Sequence, residues 1–221
     1  MRNFDPSDAP ILERMHPAQL AARWILLAAC AAVLAGCGER TPPLPRLDGN
    51  AVVLAFGDSL TYGTGASTPE SYPAVLERLI GRKVVSAGVP GEVSAVGLER
   101  LPDALEHAQP KLLILCHGGN DFLRKLPETQ AAANVRAMVK LAKDKGVEVV
   151  LVGVPRLGIT GSPAGFYADI ANEFRIPYDG EVLKKVLTDN ELKSDWVHPN
   201  AKGYARIAQS LAELLKRAKA I

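Results

Sequence analysis

Four short apolar runs, each followed by a stretch with apolar residues at three- and four-residue spacing, constrain this chain more than any other feature. The runs are Ala51–Phe56 (AVVLAF), Lys83–Ala87 (KVVSA), Lys111–Cys116 (KLLILC) and Val147–Val152 (VEVVLV), with a weaker one at Ile176–Tyr178. Near-continuous apolarity requires burial on both faces, which predicts strands of a mostly parallel sheet. Tyr72–Ile80, Val96–Glu106, Thr129–Lys145, Gly165–Phe174 and Tyr204–Ala218 carry the helical period and predict helices on both sides of that sheet. With no internal repeat and no second core, the alternation predicts one α/β domain. Its ligand site is expected beyond the carboxyl ends of the strands.

The alternation begins only at residue 51. Ahead of it, the thirteen residues Trp24–Gly36 (WILLAACAAVLAG) carry no charge and follow Arg23. A permanent membrane helix needs roughly 20 apolar residues, so this run reads as the core of an export signal. It ends in Leu34-Ala35-Gly36-Cys37, which resembles the lipobox of bacterial lipoproteins. That resemblance implies a lipid on the Cys37 thiol and removal of the peptide before it. The exported protein would be anchored in the bacterial cell envelope facing the periplasm, with the outer membrane preferred over the inner. The first part of the leader, MRNFDPSDAPILER, holds three acids that a positive n-region does not need, so Met15 is the expected translation start. GERTPPLPRLDGN after Cys37 is Pro-rich and polar and reads as an extended tether. The expected division is a signal over 1–36, a tether over 37–50 and the folded domain over 51–221.

Cysteine usage fits this division. Cys30 leaves with the signal, Cys37 is the anchor and Cys116 ends a predicted strand, so no disulfide framework is available. The histidines at 16, 107, 117 and 198 form no close pair at metal-ligand spacing. A net charge of +2, from 26 basic and 24 acidic side chains, provides no field for nucleic acid, which is not expected as a partner. A monomer is the simplest assembly.

Residues able to carry chemistry stand after the strands. The first strand runs into Gly57-Asp58-Ser59-Leu60, a sharp turn that would present the Ser59 hydroxyl at the sheet edge. Residue 61 is Thr, so the G-x-S-x-G elbow is absent, and a serine there can equally be a helix cap or a turn former. Asp195-Trp196-Val197-His198 raises its standing, because an acid and an imidazole three positions apart can meet across one turn. Asp195 would then accept from one ring nitrogen and leave the other to take a proton from Ser59. Gly118-Gly119-Asn120-Asp121 and Gly91 follow two further strands and offer an amide and a backbone N–H to an oxyanion. Asp58 and Asp121 are rival orienters for the histidine, with structural roles preferred for both. Cys116 and His117 are neighbours on a strand and point to opposite faces, so they are not read as a Cys–His pair. Phe122, Leu123, Pro155, Leu157 and Ile159 are candidates for an apolar acyl wall, and Pro155–Pro163 for a mobile rim.

Together the blocks FGDSLTYG, PGE, GGND and DWVHPN resemble those of the SGNH hydrolase, or GDSL esterase/lipase, superfamily. The similarity runs from about residue 51 to the end. GLERLPDALEHAQP and HGGNDFLRKLP make it most similar to the TesA-like branch of lysophospholipases, thioesterases and arylesterases. The resemblance implies a flavodoxin-like three-layer α/β/α fold with about five strands and no cofactor or metal. It implies Ser59 as nucleophile, His198 as base, Asp195 as orienter, and Ser59, Gly91 and Asn120 as oxyanion donors. The implied substrate is a small ester or thioester with a short to medium acyl or aryl group. Gly91-Glu92 departs from the common Gly-Asp but leaves the oxyanion glycine in place. Two rivals are a carbohydrate O-acetylesterase of the same fold, for which Trp196 is the one candidate platform, and a non-catalytic envelope-binding module.

Overall fold

The computed structural model describes residues 41–156 and 161–221. The apolar runs form a five-stranded parallel sheet of β1 (Val53–Gly57), β2 (Val84–Gly88), β3 (Leu112–Cys116), β4 (Glu148–Val152) and β5 (Tyr178–Asp179), in the order β2-β1-β3-β4-β5. Each residue of β1 and β3 is buried, as their unbroken apolar sequences require. β2 lies at the sheet edge, where Ser86 is exposed and Val84 alone is fully buried.

Among the described residues eight α-helices connect and cover the strands: α1 (Ser59–Tyr62), α2 (Tyr72–Ile80), α3 (Ser94–Ala108), α4 (Gly119–Leu123), α5 (Glu128–Asp144), α6 (Gly165–Phe174), α7 (Val182–Thr188) and α8 (Ala201–Arg217). α2 packs on α8, while α3 and α6 pack on α5, which makes the three-layer α/β/α architecture. α2 and α6 have the bounds expected from their periodicity. α1, α4 and α7 were not expected, being four, five and seven residues long and too short to establish a period. α8 starts ahead of its apolar stripe because Asn200 caps it, its side chain accepting the Gly203 N–H at 3.1 Å.

Two further differences from the expected boundaries have a clear physical cause. The last strand begins at Tyr178 rather than Ile176. Pro177 has no N–H to give a ladder and contributes its carbonyl alone, to the Leu151 N–H at 3.0 Å. The packed unit starts at Thr41, not 51. Leu44 and Leu47 are buried, and their N–H groups donate to the carbonyls of Ala218 and Ala220, both at 2.8 Å. The second half of the Pro-rich stretch therefore lies along the carboxyl terminus. The expected signal, Met15 and Cys37 fall outside the described residues.

In this strand order the chain leaves β1 toward β2 and returns to β3 on the other side of β1. The crevice between the carboxyl ends of β1 and β3 is the topological switch point at which open parallel sheets bind ligands.

Candidate active site

Ser59 opens α1 directly after β1. Asp58 caps that helix, its Oδ1 accepting the Leu60 N–H at 3.0 Å. The turn has no room for side chains at its supports. A Cβ on Gly88 would lie 2.1 Å from Tyr62 N, and one on Gly57 would lie 2.0 Å from the Cys116 carbonyl oxygen. The backbone of α1 thus rests on the end of β2, and the Ser59 hydroxyl is fixed at the edge of the sheet.

The partner loop is folded as tightly. Lys193 and Pro199 form an antiparallel bridge, and the Ser194 N–H donates to the His198 carbonyl at 2.9 Å. Inside this loop Asp195 Oδ1 accepts the N–H groups of Val197 and His198, both at 2.8 Å, while Oδ2 is 2.8 Å from His198 Nδ1. Asp195 therefore caps the turn and orients the ring at once. Burial works to raise its carboxyl, but the bonds from the His198 ring and the two backbone N–H groups outweigh this and hold it below the usual range. With Nδ1–H donated to the carboxylate, the Nε2 lone pair faces Ser59 Oγ at 3.0 Å. Tyr204 Oη donates to the Thr64 carbonyl at 2.8 Å and ties α8 to the segment after α1, so the two loops are held together.

Asn120 enters from α4, after β3. Its Nδ2 donates to the Glu92 carbonyl at 3.0 Å and to Asp58 Oδ2 at 3.3 Å. Both partners are acceptors, which settles the orientation of the amide. Gly91 has φ +78° and its carbonyl accepts Arg124 Nη2 at 2.7 Å, so the second and third sequence blocks meet through adjacent peptides.

The rival acids are engaged elsewhere. Asp121 accepts the N–H and the hydroxyl of Ser94 at 2.8 and 2.7 Å, joining α4 to the start of α3. Asp58 is buried with its two oxygens on Leu60 and Asn120, and burial raises its carboxyl above the usual range. Ser94, His117, Glu92 and Asp121 form a second grouping of serine, imidazole and acids. In it Ser94 bonds Asp121, His117 bonds Glu92, and both Ser94 and His117 are 0% exposed. That grouping has no path to a substrate, whereas Ser59 lines a cleft. Cys116 is buried, and burial pushes its thiol well above the usual range.

An open cleft beside Ser59 and Asn120 is walled by Leu123, Val154, Pro155, Leu187 and Val197. Leu123 and Pro155 were expected in this wall. Phe122 instead packs on Phe166, their ring centroids 6.3 Å apart. Leu157 and Ile159 lie outside the described residues. Leu187 and Val197 were missed, although Val182, Leu183, Val186 and Leu187 repeat at helical spacing and carry the signal of α7. The expected rim is closed at its base by the Pro155–Pro163 bridge and by the Arg156 N–H on the Ser162 carbonyl at 3.1 Å. Trp196 stands 87% exposed.

A parallel α/β/α sheet with a serine, an imidazole and a carboxylate hydrogen-bonded in series at its switch point defines a serine hydrolase acting on ester bonds. Residues 55–206 match the GDSL-like Lipase/Acylhydrolase family, and the chain belongs to it. It is 28% identical over 177 residues to Esterase TesA of Pseudomonas aeruginosa, covering 74% of this chain and 87% of that protein. It is 30% identical over 172 residues to the Escherichia coli protein named thioesterase 1/protease 1/lysophospholipase L1, covering 74% and 83%. A crystal structure of TesA superposes with a TM-score of 0.68 at 25% identity, over 76% of this chain and 99% of the other. The likeness is to the TesA-like branch of the superfamily.

Proposed function

We propose that Ser59 is the nucleophile, His198 its general base and Asp195 the group that orients the imidazole. The oxyanion is received by the N–H groups of Ser59 and Gly91 and by the Asn120 amide. The observation that carries this reading is the unbroken series Asp195–His198–Ser59 opening into an apolar cleft. His198 takes the serine proton as Ser59 attacks the carbonyl, then gives it to the leaving alcohol or thiol. Water, deprotonated by the same ring, releases the acid from the acyl-serine. One oxyanion donor is worth about 3 kcal/mol in such reactions. No step calls on a metal or cofactor.

The substrates are esters and thioesters with short to medium acyl or aryl groups. The wall of the cleft is apolar, formed by Leu123, Val154, Pro155, Leu187 and Val197, and suits an acyl chain better than a sugar. The relatives point the same way, one being named an esterase and the other a thioesterase and lysophospholipase. A chain-length series of p-nitrophenyl esters and acyl thioesters tests the reading. Turnover should be highest for short to medium chains and be lost in Ser59→Ala. Retained turnover in that variant, or a preference for acetylated glycans, would overturn it.

The exported form is a monomer carried on a lipid at Cys37, on the periplasmic face of the outer membrane. The packed domain begins beside Ala218, just beyond the end of α8 remote from His198. Cys37→Ala should move activity from the membrane fraction to the soluble one. Activity that stays with membranes would refute the anchor.

A further inference from the structure

Beside Asn120 lies a largely buried cluster that the acyl-transfer steps do not use. Arg100, on α3, grips the Glu92 carboxylate with both arms of its fork, Nε to Oε2 at 2.9 Å and Nη2 to Oε1 at 2.8 Å. The same Nη2 donates to the Ala87 carbonyl at 3.1 Å, at the end of β2, and the guanidinium carbon sits 4.1 Å above the centre of the Phe56 ring on β1. On the other side His117 Nε2 lies 3.0 Å from Glu92 Oε1. The Gly118 N–H donates to His117 Nδ1 at 2.9 Å, so Nδ1 is an acceptor and the ring proton sits on Nε2, pointing at the carboxylate. His117 is 0% exposed, and its ring fills the space above Gly97, where a Cβ would stand 2.3 Å from Nε2. Glu92 is itself buried. Burial works to raise its carboxyl, yet the bonds from His117 and Arg100 outweigh it and hold it at about 2.

This clamp ends on the oxyanion side of the site. The main-chain carbonyl of Glu92 receives Asn120 Nδ2 at 3.0 Å, and the preceding peptide belongs to Gly91. An acid whose two oxygens are held by groups anchored on β2, α3 and the end of β3 cannot rotate without breaking those bonds. Its own peptide is fixed with it. The longer contact of Asn120, to Asp58 at 3.3 Å, is the one an oxyanion can replace.

We propose that Glu92 and His117 are positioning residues of the oxyanion pocket: the clamp on the Glu92 side chain fixes the backbone at Glu92, whose carbonyl aims the Asn120 amide and whose neighbour Gly91 carries the other N–H. The inference rests on the oxyanion reading given above. Neither residue touches substrate. Each acts through the peptide of Glu92, so its loss falls on the transition state and spares ground-state binding.

The test compares His117→Leu, which removes the donor, with His117→Gln, whose amide can reach the same oxygen. Gly97→Ala joins them, pushing the ring off Glu92 without deleting it, and Asn120→Ala serves as reference. Each is measured for kcat and KM on a p-nitrophenyl ester, for inhibition by an alkyl boronic acid that forms a tetrahedral adduct, and for thermal unfolding. His117→Leu and Gly97→Ala should lower kcat and boronate affinity together, by about tenfold to a hundredfold, with KM within about twofold. His117→Gln should restore most of both. If Asn120→Ala loses kcat while folded His117→Leu and Gly97→Ala keep kcat and boronate affinity, the positioning role is wrong and the oxyanion reading stands. If Asn120→Ala keeps full kcat, the oxyanion reading itself fails. Should His117→Leu not fold, Gly97→Ala and His117→Gln decide, and a fall in KM-normalised rate without a fall in boronate affinity overturns the proposal.

Discussion

His198 Nε2 stands 3.0 Å from Ser59 Oγ although 139 positions separate the two residues. The contact joins the turn after β1 to the loop before α8. Asp195 fixes the ring from its other side, so the Nε2 lone pair faces the Ser59 hydroxyl with neither group needing to rearrange.

Asp195→Asn replaces the acceptor of Nδ1–H by a group that can donate, which favours the wrong tautomer. A kcat about 10⁴-fold lower is expected, with the fold retained. Asp121→Asn disturbs the bonds to Ser94 instead, costing about 1–3 kcal/mol of stability and leaving the kcat of the folded protein near wild type. Parallel kinetics and thermal melts distinguish the two. A larger kcat loss at Asp121 would reverse the assignment.

Leu187 and Leu123 stand at the cleft wall with part of their side chains exposed. Leu187→Trp should narrow the cleft and move the optimum toward shorter acyl chains, and Leu123→Ala should move it the other way. A pocket distinguishes one methylene by about 1–3 kcal/mol, so kcat/KM across an ester series should change by tenfold or more at its long end. An unshifted profile in both variants would place the acyl chain elsewhere.

Acid stability should follow Glu92. Its carboxyl titrates at about 2 in the folded protein against an ordinary value of 4.5. A depressed value stabilises the fold fully above about pH 4.5, and that share is lost as pH falls through 4.5 toward 2. Asp58 has the opposite sign: its raised carboxyl costs stability when ionised, and the cost is relieved on acidification. Urea unfolding at several pH values should therefore show a shallower acid decline in Glu92→Gln than in wild type. An equal slope would mean that Glu92 carries no such linkage.

Gly88→Ala sets a Cβ against the Tyr62 backbone nitrogen at 2.1 Å, and backbone cannot swing aside. Overpacking of this kind costs about 1–3 kcal/mol, and here the displaced element is α1, which begins with Ser59. Both the melting temperature and kcat should fall. Gly49→Ala meets nothing within 4 Å and is the control expected to change neither.

Much of this was legible in the sequence because it is local. Unbroken apolar runs such as KLLILC demand two covered faces, and helices must alternate with parallel strands to cover them. The three-residue spacing of Asp195 and His198 allows a contact across one turn, and that contact is formed at 2.8 Å. The edge of β5 was misplaced by two residues because the apolar pattern counts Ile176 and Pro177, while the hydrogen-bond ladder requires an N–H that proline lacks.

The sequence by itself determined the strand–helix order, the parallel sheet and the candidate identities of Ser59, Asn120, Asp195 and His198. Each depends on periodicity, turn chemistry or a short motif, all of which act within a few residues. Tertiary structure alone decided that Asp58 serves Asn120 and Asp121 serves Ser94, that Leu187 and Val197 line the cleft, and that Leu44 and Leu47 dock on the carboxyl terminus. It also decided that Glu92, ordinary by its spacing, is gripped by Arg100 and His117 while its carbonyl receives the Asn120 amide. These contacts join elements far apart in the chain. They depend on the register that sets Gly57 level with Gly88 and Cys116, and no local pattern carries that information.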